Sequence, residues 1–275
     1  MHINHFGKSG LLFFLLMFSS AKADGRDFTV TKSPVHSGEQ KYRHRSDDVV
    51  MQPDNEGRVG SELPPTSEWR LETIDTTRGV DYMTRTQREV VVEINMMRSD
   101  PALYARMYLV PLRAYYQGRL LKYPGKIALS THEGVSALDE CIRELKRTKP
   151  LSSLSPREGL TLAARDHVRD QGRTGATGHS GSDGSSPFTR LNRYGRWDFI
   201  AGENISYGFN DARTIVTSLL IDDGVLSRGH RKNLLNNSFK LVGVDIGPHR
   251  IYRDMCVMDF AGGYVSNRRQ EESGR

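Results

Sequence analysis

Apolar residues recur three and four positions apart in five stretches of this chain, and then the period changes to two. Val90, Val91, Ile94 and Met97 form the first helical stripe, entered through a capping box made by Thr84 with Gln87 or Thr86 with Glu89. Leu103, Met107 and Val110 form the second, opened by Asp100-Pro101, a cap followed by proline at the first helical position. Val135, Leu138, Ile142 and Leu145 form the third, with Cys141 beside the stripe. The fourth carries Leu160, Ala163, Ala164, His167 and Val168; Ser155-Pro156-Arg157-Glu158 predicts its start and Gly172 its stop. His167 on that apolar face reads as a core histidine with a satisfied ring. Asp211 caps the fifth, which bears Ile215, Val216, Leu219 and Leu220. Shorter helices are predicted from Ser186-Pro187 to Tyr194 and from Gly229-His230 to Leu235, with a strand over Glu203 to Tyr207. Beyond them Val242, Val244 and Ile246 alternate with Gly243, Asp245 and Gly247, and Tyr252 to Phe260 is a second strand-like run, joined to the first near Pro248-His249. Helices followed by strands mixed with short helices predict an α+β layered domain with a mainly antiparallel sheet.

The flanks carry no such pattern. Leu11 to Phe18 is an apolar run after a mildly basic start, followed by Ala21-Lys22-Ala23, so residues 1–23 read as a secretory signal cleaved after Ala23. The run is too short to span a bilayer, and no later segment is long enough. Residues 24–82 are polar and proline-dotted and read as a flexible linker; 83–264 form the domain and 265–275 a disordered tail. With 37% hydrophobic residues and a mean hydropathy of -0.55, part of the chain builds no core. The net charge of +6 favours anionic partners such as an envelope glycan or lipid surface. The cations are scattered, and no block resembles a DNA-reading helix or an aromatic RNA platform, so no nucleic-acid partner is expected. Tyr115 to Lys126 interleaves tyrosines with Arg119, Lys122 and Lys126 and reads as a snorkelling surface loop or a membrane-contacting one.

Candidate chemistry sits in Gly-flanked positions outside the apolar periods. His179, Glu203 and His230, two imidazoles and a carboxylate, are expected to meet in one cleft. There they can hold zinc or another divalent ion, or act as acid and base. Asp222 and Asp223 follow the last helical stripe, and either can supply a second carboxylate. Ser180, Asn204, Asp222 and Asp223 complete the expected ligand-binding cleft, and Asp222 joins the three central residues as a catalytic candidate. Ser180 and Ser182 read as turn residues, because no Gly-x-Ser-x-Gly elbow encodes a nucleophile. His-Glu-x-x-His, a phosphate-binding glycine loop and Cys-x-x-Cys are missing too, which removes the usual signals for metallopeptidase, nucleotide-binding and thioredoxin-type chemistry. Cys141 and Cys256 either pair as one disulfide or remain two buried thiols.

The residues from about Arg88 to Tyr264 resemble the CAP superfamily of cysteine-rich secretory, antigen 5 and pathogenesis-related 1 proteins. The likeness rests on Ile94-Asn95 with Arg98, Gly178-His179-Ser180, Gly202-Glu203-Asn204-Ile205, Gly229-His230-Arg231, Val242-Gly243-Val244 and Asp259-Phe260-Ala261-Gly262. It looks most like the secreted microbial branch, in which Gly-His-Arg precedes a Leu-rich turn, here Lys232-Asn233-Leu234-Leu235. The resemblance implies an α-β-α sandwich with a cleft lined by two histidines and two acids. His179, Glu203 and His230 match three of those positions. The glutamate usual at the fourth has no match, and Asp222 or Asp223 substitutes. Two further departures are an extra segment from about Leu109 to Lys149 and the scarcity of cysteine. The family is linked to sterol and lipid binding, glycan binding and proteolysis. The expected function is a secreted binding module for a small apolar or amphipathic ligand, with a metal-dependent hydrolase as the alternative.

Overall fold

The computed structural model describes residues 29–31, 69–123 and 128–267. The expected signal segment, most of the expected linker and the tail beyond Asn267 lie outside the described residues. In chain order the elements are β1 (Thr29–Thr31), α1 (Leu71–Ile74), α2 (Arg85–Ser99) and α3 (Pro101–Tyr104). A π turn (Ala105–Leu109) and a 3-10 turn (Val110–Tyr115) lead to three two-residue strands, β2 (Tyr116–Gln117), β3 (Leu120–Leu121) and β4 (Leu129–Ser130). There follow α4 (Val135–Leu145), β5 (Ser155–Pro156), α5 (Glu158–Thr174), α6 (Pro187–Tyr194) and β6 (Gly195–Tyr207). The chain ends with α7 (Ala212–Ile221), α8 (Gly229–Leu235), β7 (Leu241–His249) and β8 (Arg253–Ser266).

The main sheet runs β1-β6-β8-β7-β5; β5 lies parallel to β7 and every other pairing is antiparallel. Side chains alternate across it. One face presents Val242, Val244, Cys256, Met258 and Phe260 to a core shared with α2, α4 and α7. The other presents Ala201, Trp197, Ala261 and Tyr264 to α5 and α6. Three layers result, and the α+β sandwich is established. On the α5 face, register sets Glu203 of β6 opposite Asp259 of β8, which stands opposite Gly243 of β7. Gly243 has to be glycine, because a Cβ there would strike the backbone of Leu160 and Thr161 in α5.

Local caps form where the sequence encodes them. Thr84 and Gln87 make the capping box, Asp100 accepts from Leu103 N, Ser186 from Thr189 N and Asp211 from Thr214 N. Four expectations are corrected. The domain's core includes residues before 83: Trp69 and Ile74 are buried in the larger core, and Asn95 donates to the Ile74 carbonyl at 2.9 Å. Residues 29–31, inside the expected linker, pair with Ile200–Gly202 of β6; three residues are too few to show a period. Ser155-Pro156 does not open a helix, because Ser155 N and Arg157 N bond the carbonyls of Lys240 and Val242 and hold the segment in the sheet. Proline at 156 also keeps the preceding residue extended. The helix after it passes Gly172, which lies against the Pro248 carbonyl, and stops at Gly175 with φ 75°.

The extra segment folds as α4 and a small sheet of order β2-β3-β4. The described part of the Tyr-rich stretch belongs to it, with Tyr116 and Tyr123 half-buried against a small cavity beside α7. Cys141 and Cys256 are both buried and free, so the disulfide alternative is not the one adopted.

Candidate functional site

The loop after α5 is fixed before it reaches His179. The carbonyl of Gly178 receives His167 Nε2 at 2.8 Å and Gln171 Nε2 at 2.5 Å, and its amide donates to Tyr207 Oη at 3.0 Å. His179 then places Nδ1 2.7 Å from Oε1 of Glu203. Arg190 of α6 bonds Oε2 of the same carboxylate at 2.7 Å and holds the carbonyls of His179 and Ser185 at 3.1 and 3.0 Å. Glu203 is fully buried. Burial by itself would raise its pKa, but the Arg190 guanidinium, His167 and the bond from His179 together hold it down to about 2. An ionised carboxylate only accepts, so the neutral His179 ring carries its proton on Nδ1 and its lone pair on Nε2.

Beside this pair lies a second buried acid. Asp259 faces Glu203 across the strands, and neither of its oxygens has a hydrogen-bond partner. Burial, and then the Glu203 charge, push its pKa well above the ordinary value, so it is held as the neutral acid. His167 is completely buried and its pKa falls to about 4, burial being the main cause. Nε2 of that ring is bonded as expected of a core histidine, whereas Nδ1 has no partner.

The second histidine is held differently. Asp222 caps the C-terminus of α7 in the left-handed region at φ 56°. Its Oδ1 lies 2.7 Å from His230 Nδ1, and its Oδ2 accepts the backbone amides of His230 and Arg231 at 3.0 and 3.2 Å. Asn204, next to Glu203 on β6, donates to the His230 carbonyl at 3.0 Å and accepts from Asn233 Nδ2 at 2.9 Å. Neighbouring strand residues point to opposite faces. Glu203 therefore holds the His179 side and Asn204 the α8 side. Both imidazole side chains keep slight exposure, 13% and 14%, over carboxylates at 0% and 1%.

The profile of CAP, the cysteine-rich secretory protein family, matches residues 95–260, well over half of the chain. The chain belongs to the CAP family. Among solved structures it is similar to an outer surface protein from Borrelia burgdorferi, 18% identical over 40% of this chain and 78% of that one, with a TM-score of 0.34. It is also similar to an extracellular protein containing an SCP domain from Bacillus anthracis, 25% identical over 45% of this chain and 37% of that one, with a TM-score of 0.33. No curated protein matches the chain.

In this CAP domain Asp222 pairs with the second histidine, and Asp223 does not join it. The Asp223 carboxylate turns to the amides of His132 and Glu133 at 2.6 and 2.8 Å, on the side of the cavity by α7. Ser180 is half-buried beside His179, while Ser182 donates its amide to Asp170 at 2.6 Å and serves the loop. The expected metal set of His179, His230 and Glu203 is not assembled. Both Glu203 oxygens are taken by His179 and Arg190, and no three His, Cys, Asp or Glu side chains among the described residues form a metal-holding group. The residues present therefore do not fit a three-ligand zinc site.

Sequence reasoning missed Arg190, Asp259 and the partnership of Asn204 with Asn233. Asp259 had left a sign: it is a carboxylate inside an apolar strand run, and such groups are costly to bury without a reason.

Proposed function

We propose that this CAP domain is an exported binding module in which His179 and His230 contact the polar end of a small amphipathic ligand. The supporting observation is the matched pair of imidazoles, each anchored through Nδ1 to a buried carboxylate and each slightly exposed. Such anchoring fixes the orientation of both rings, which suits them to present a defined polar edge to a ligand. Export rests on the signal-like residues 1–23, and the basic chain suits an anionic envelope surface. Among the described residues no helix is long and apolar enough to cross a membrane. Hydrolysis finds less support. Glu203, with both oxygens bonded and its pKa held down, is a weak general base.

The test is equilibrium titration of the mature protein with fatty acids, sterols and envelope oligosaccharides, with and without zinc. Saturable binding to one class is expected, weakened at least about tenfold in His179→Gln or His230→Gln, equivalent to about 1.4 kcal/mol. No saturable binding to any of them, or binding unchanged in both variants, overturns the reading.

A further inference from the structure

The extra segment that this chain carries between its family-like helices touches the loop that holds His230. Two arginines flank that histidine; both reach α4, and Arg228 also reaches Glu133, two residues before it. Arg228 forks onto Glu133, Nη1 at 2.7 Å and Nη2 at 2.6 Å, and onto Glu140, Nη2 at 2.8 Å and Nε at 3.1 Å. Arg231 places Nη1 2.8 Å from both Glu140 and Glu144. The same guanidiniums hold the loop backbone. Arg228 donates to the carbonyls of Asp222 and Val225 at 2.8 and 3.0 Å, and Arg231 to those of Leu220 and Ile221 at 2.5 and 2.9 Å. Gly224 N adds a bond to Glu133 at 2.8 Å, and Asp223 returns two from the amides before α4.

The loop needs such support. Asp222 and Arg228, at its two ends, sit at φ 56° and 55°, where a side-chain-bearing residue is strained unless its surroundings hold it. Arg231 is completely buried and Arg228 nearly so, and a guanidinium in that setting requires carboxylate partners. Glu140 is the one carboxylate shared by both arginines. The planar fork of arginine makes these contacts directional as well as attractive.

We propose that the inserted helix is a clamp that sets the position of the Asp222–His230 pair, with Glu140 as its central positioning residue. The consequence for ligand binding rests on the function proposed above; the clamp itself does not. His179 is the internal control, since its carboxylate is held by Arg190 and not by α4.

The experiment is NMR of the two imidazole rings in the mature protein, comparing wild type with E140Q and E144Q. In wild type both Nδ1 protons are expected to be protected by their carboxylates. In E140Q, exchange of the His230 Nδ1 proton with water should quicken at least about tenfold, His179 should be unchanged, and E140D should restore part of the protection. E144Q, which touches Arg231 alone, should give a smaller effect of the same sign. Unchanged His230 exchange in both variants overturns the clamp, as does equal quickening at His179, which would report general loosening. Should no ligand bind while His230 still loosens in E140Q, only the functional proposal falls.

Discussion

The two histidines of this domain reach the same 2.7 Å pairing by opposite routes. On the His179 side the carboxylate comes from the interior of a regular strand, and a buried arginine balances its charge. The His230 side draws its carboxylate from a helix cap in a left-handed turn, steadied by two amides and, at a distance, by α4. Strand register fixes the first pair, so it resists local change and fails only with the core around it. A strained loop fixes the second, so it can be moved without unfolding the sheet. Buried charge holds the first pair, while the second depends on contacts with the insert.

The largest expected effect breaks the first side. Arg190→Met removes the cation that balances the buried Glu203 charge, leaving His179 as the partner of that carboxylate, and should cost about 3–5 kcal/mol in denaturant unfolding, with the His179 loop loosened. A loss no larger than that of Asp222→Asn would show that the two sides are held alike.

The next is a pH effect on the first side. Buried His167 titrates at about 4 in the folded chain against an ordinary value of 6.5. Between these values the unfolded chain binds the extra proton, so the His167 contribution to folding stability is full above about 6.5 and is lost as pH falls toward 4, against an opposite drift from buried Asp245 and Asp259, whose pKa values are raised. The loss should be on the order of 3 kcal/mol. Glu203, held down to about 2, adds to the same trend below its ordinary 4.5. The difference between wild-type and His167→Gln unfolding curves from pH 7 to 4 checks this, and a difference that does not change with pH overturns it.

On the second side, Asp222→Asn keeps the shape but loses the charged acceptor for the His230 ring. It should cost about 1–2 kcal/mol, read by thermal or denaturant unfolding, and leave the His179 ring signals in place. The smallest effect concerns both sides. Cys141 lies in α4 and Cys256 in the sheet, and as free thiols they give no covalent tie between clamp and core. Reductant should leave the unfolding midpoint unchanged, and two thiols should react with an alkylating agent once the chain is denatured.

Contacts a few residues apart were legible. Thr84 with Gln87, Asp100 before Pro101, Ser186 before Pro187 and Asp211 before α7 act within one turn, where spacing alone decides who meets whom. Gly178-His179, Glu203 and Gly229-His230 stood out because chemistry-bearing residues sat beside glycines outside the apolar periods. The division of labour between Asp222 and Asp223 was not legible. Their neighbours in sequence are the same, and only the left-handed cap turns one carboxylate to His230 and the other to His132 and Glu133. Ser155-Pro156 misled for a related reason: its cap pattern is local, but two sheet bonds from distant carbonyls outweighed it.

The sequence by itself determined the main helices, the last two strands, the family and the identity of the two imidazoles, because period, caps and motif residues are properties of short segments. Tertiary structure alone decided that Glu203 pairs with His179, that Asp259 stands opposite it, and that α4 grips the His230 loop. Those partners are far apart in the chain, and their contacts exist only once strand register and layer packing have set the distances. Charge placement follows the same rule: a carboxylate is ionised or neutral according to what it is buried against, and burial is not written in any one segment.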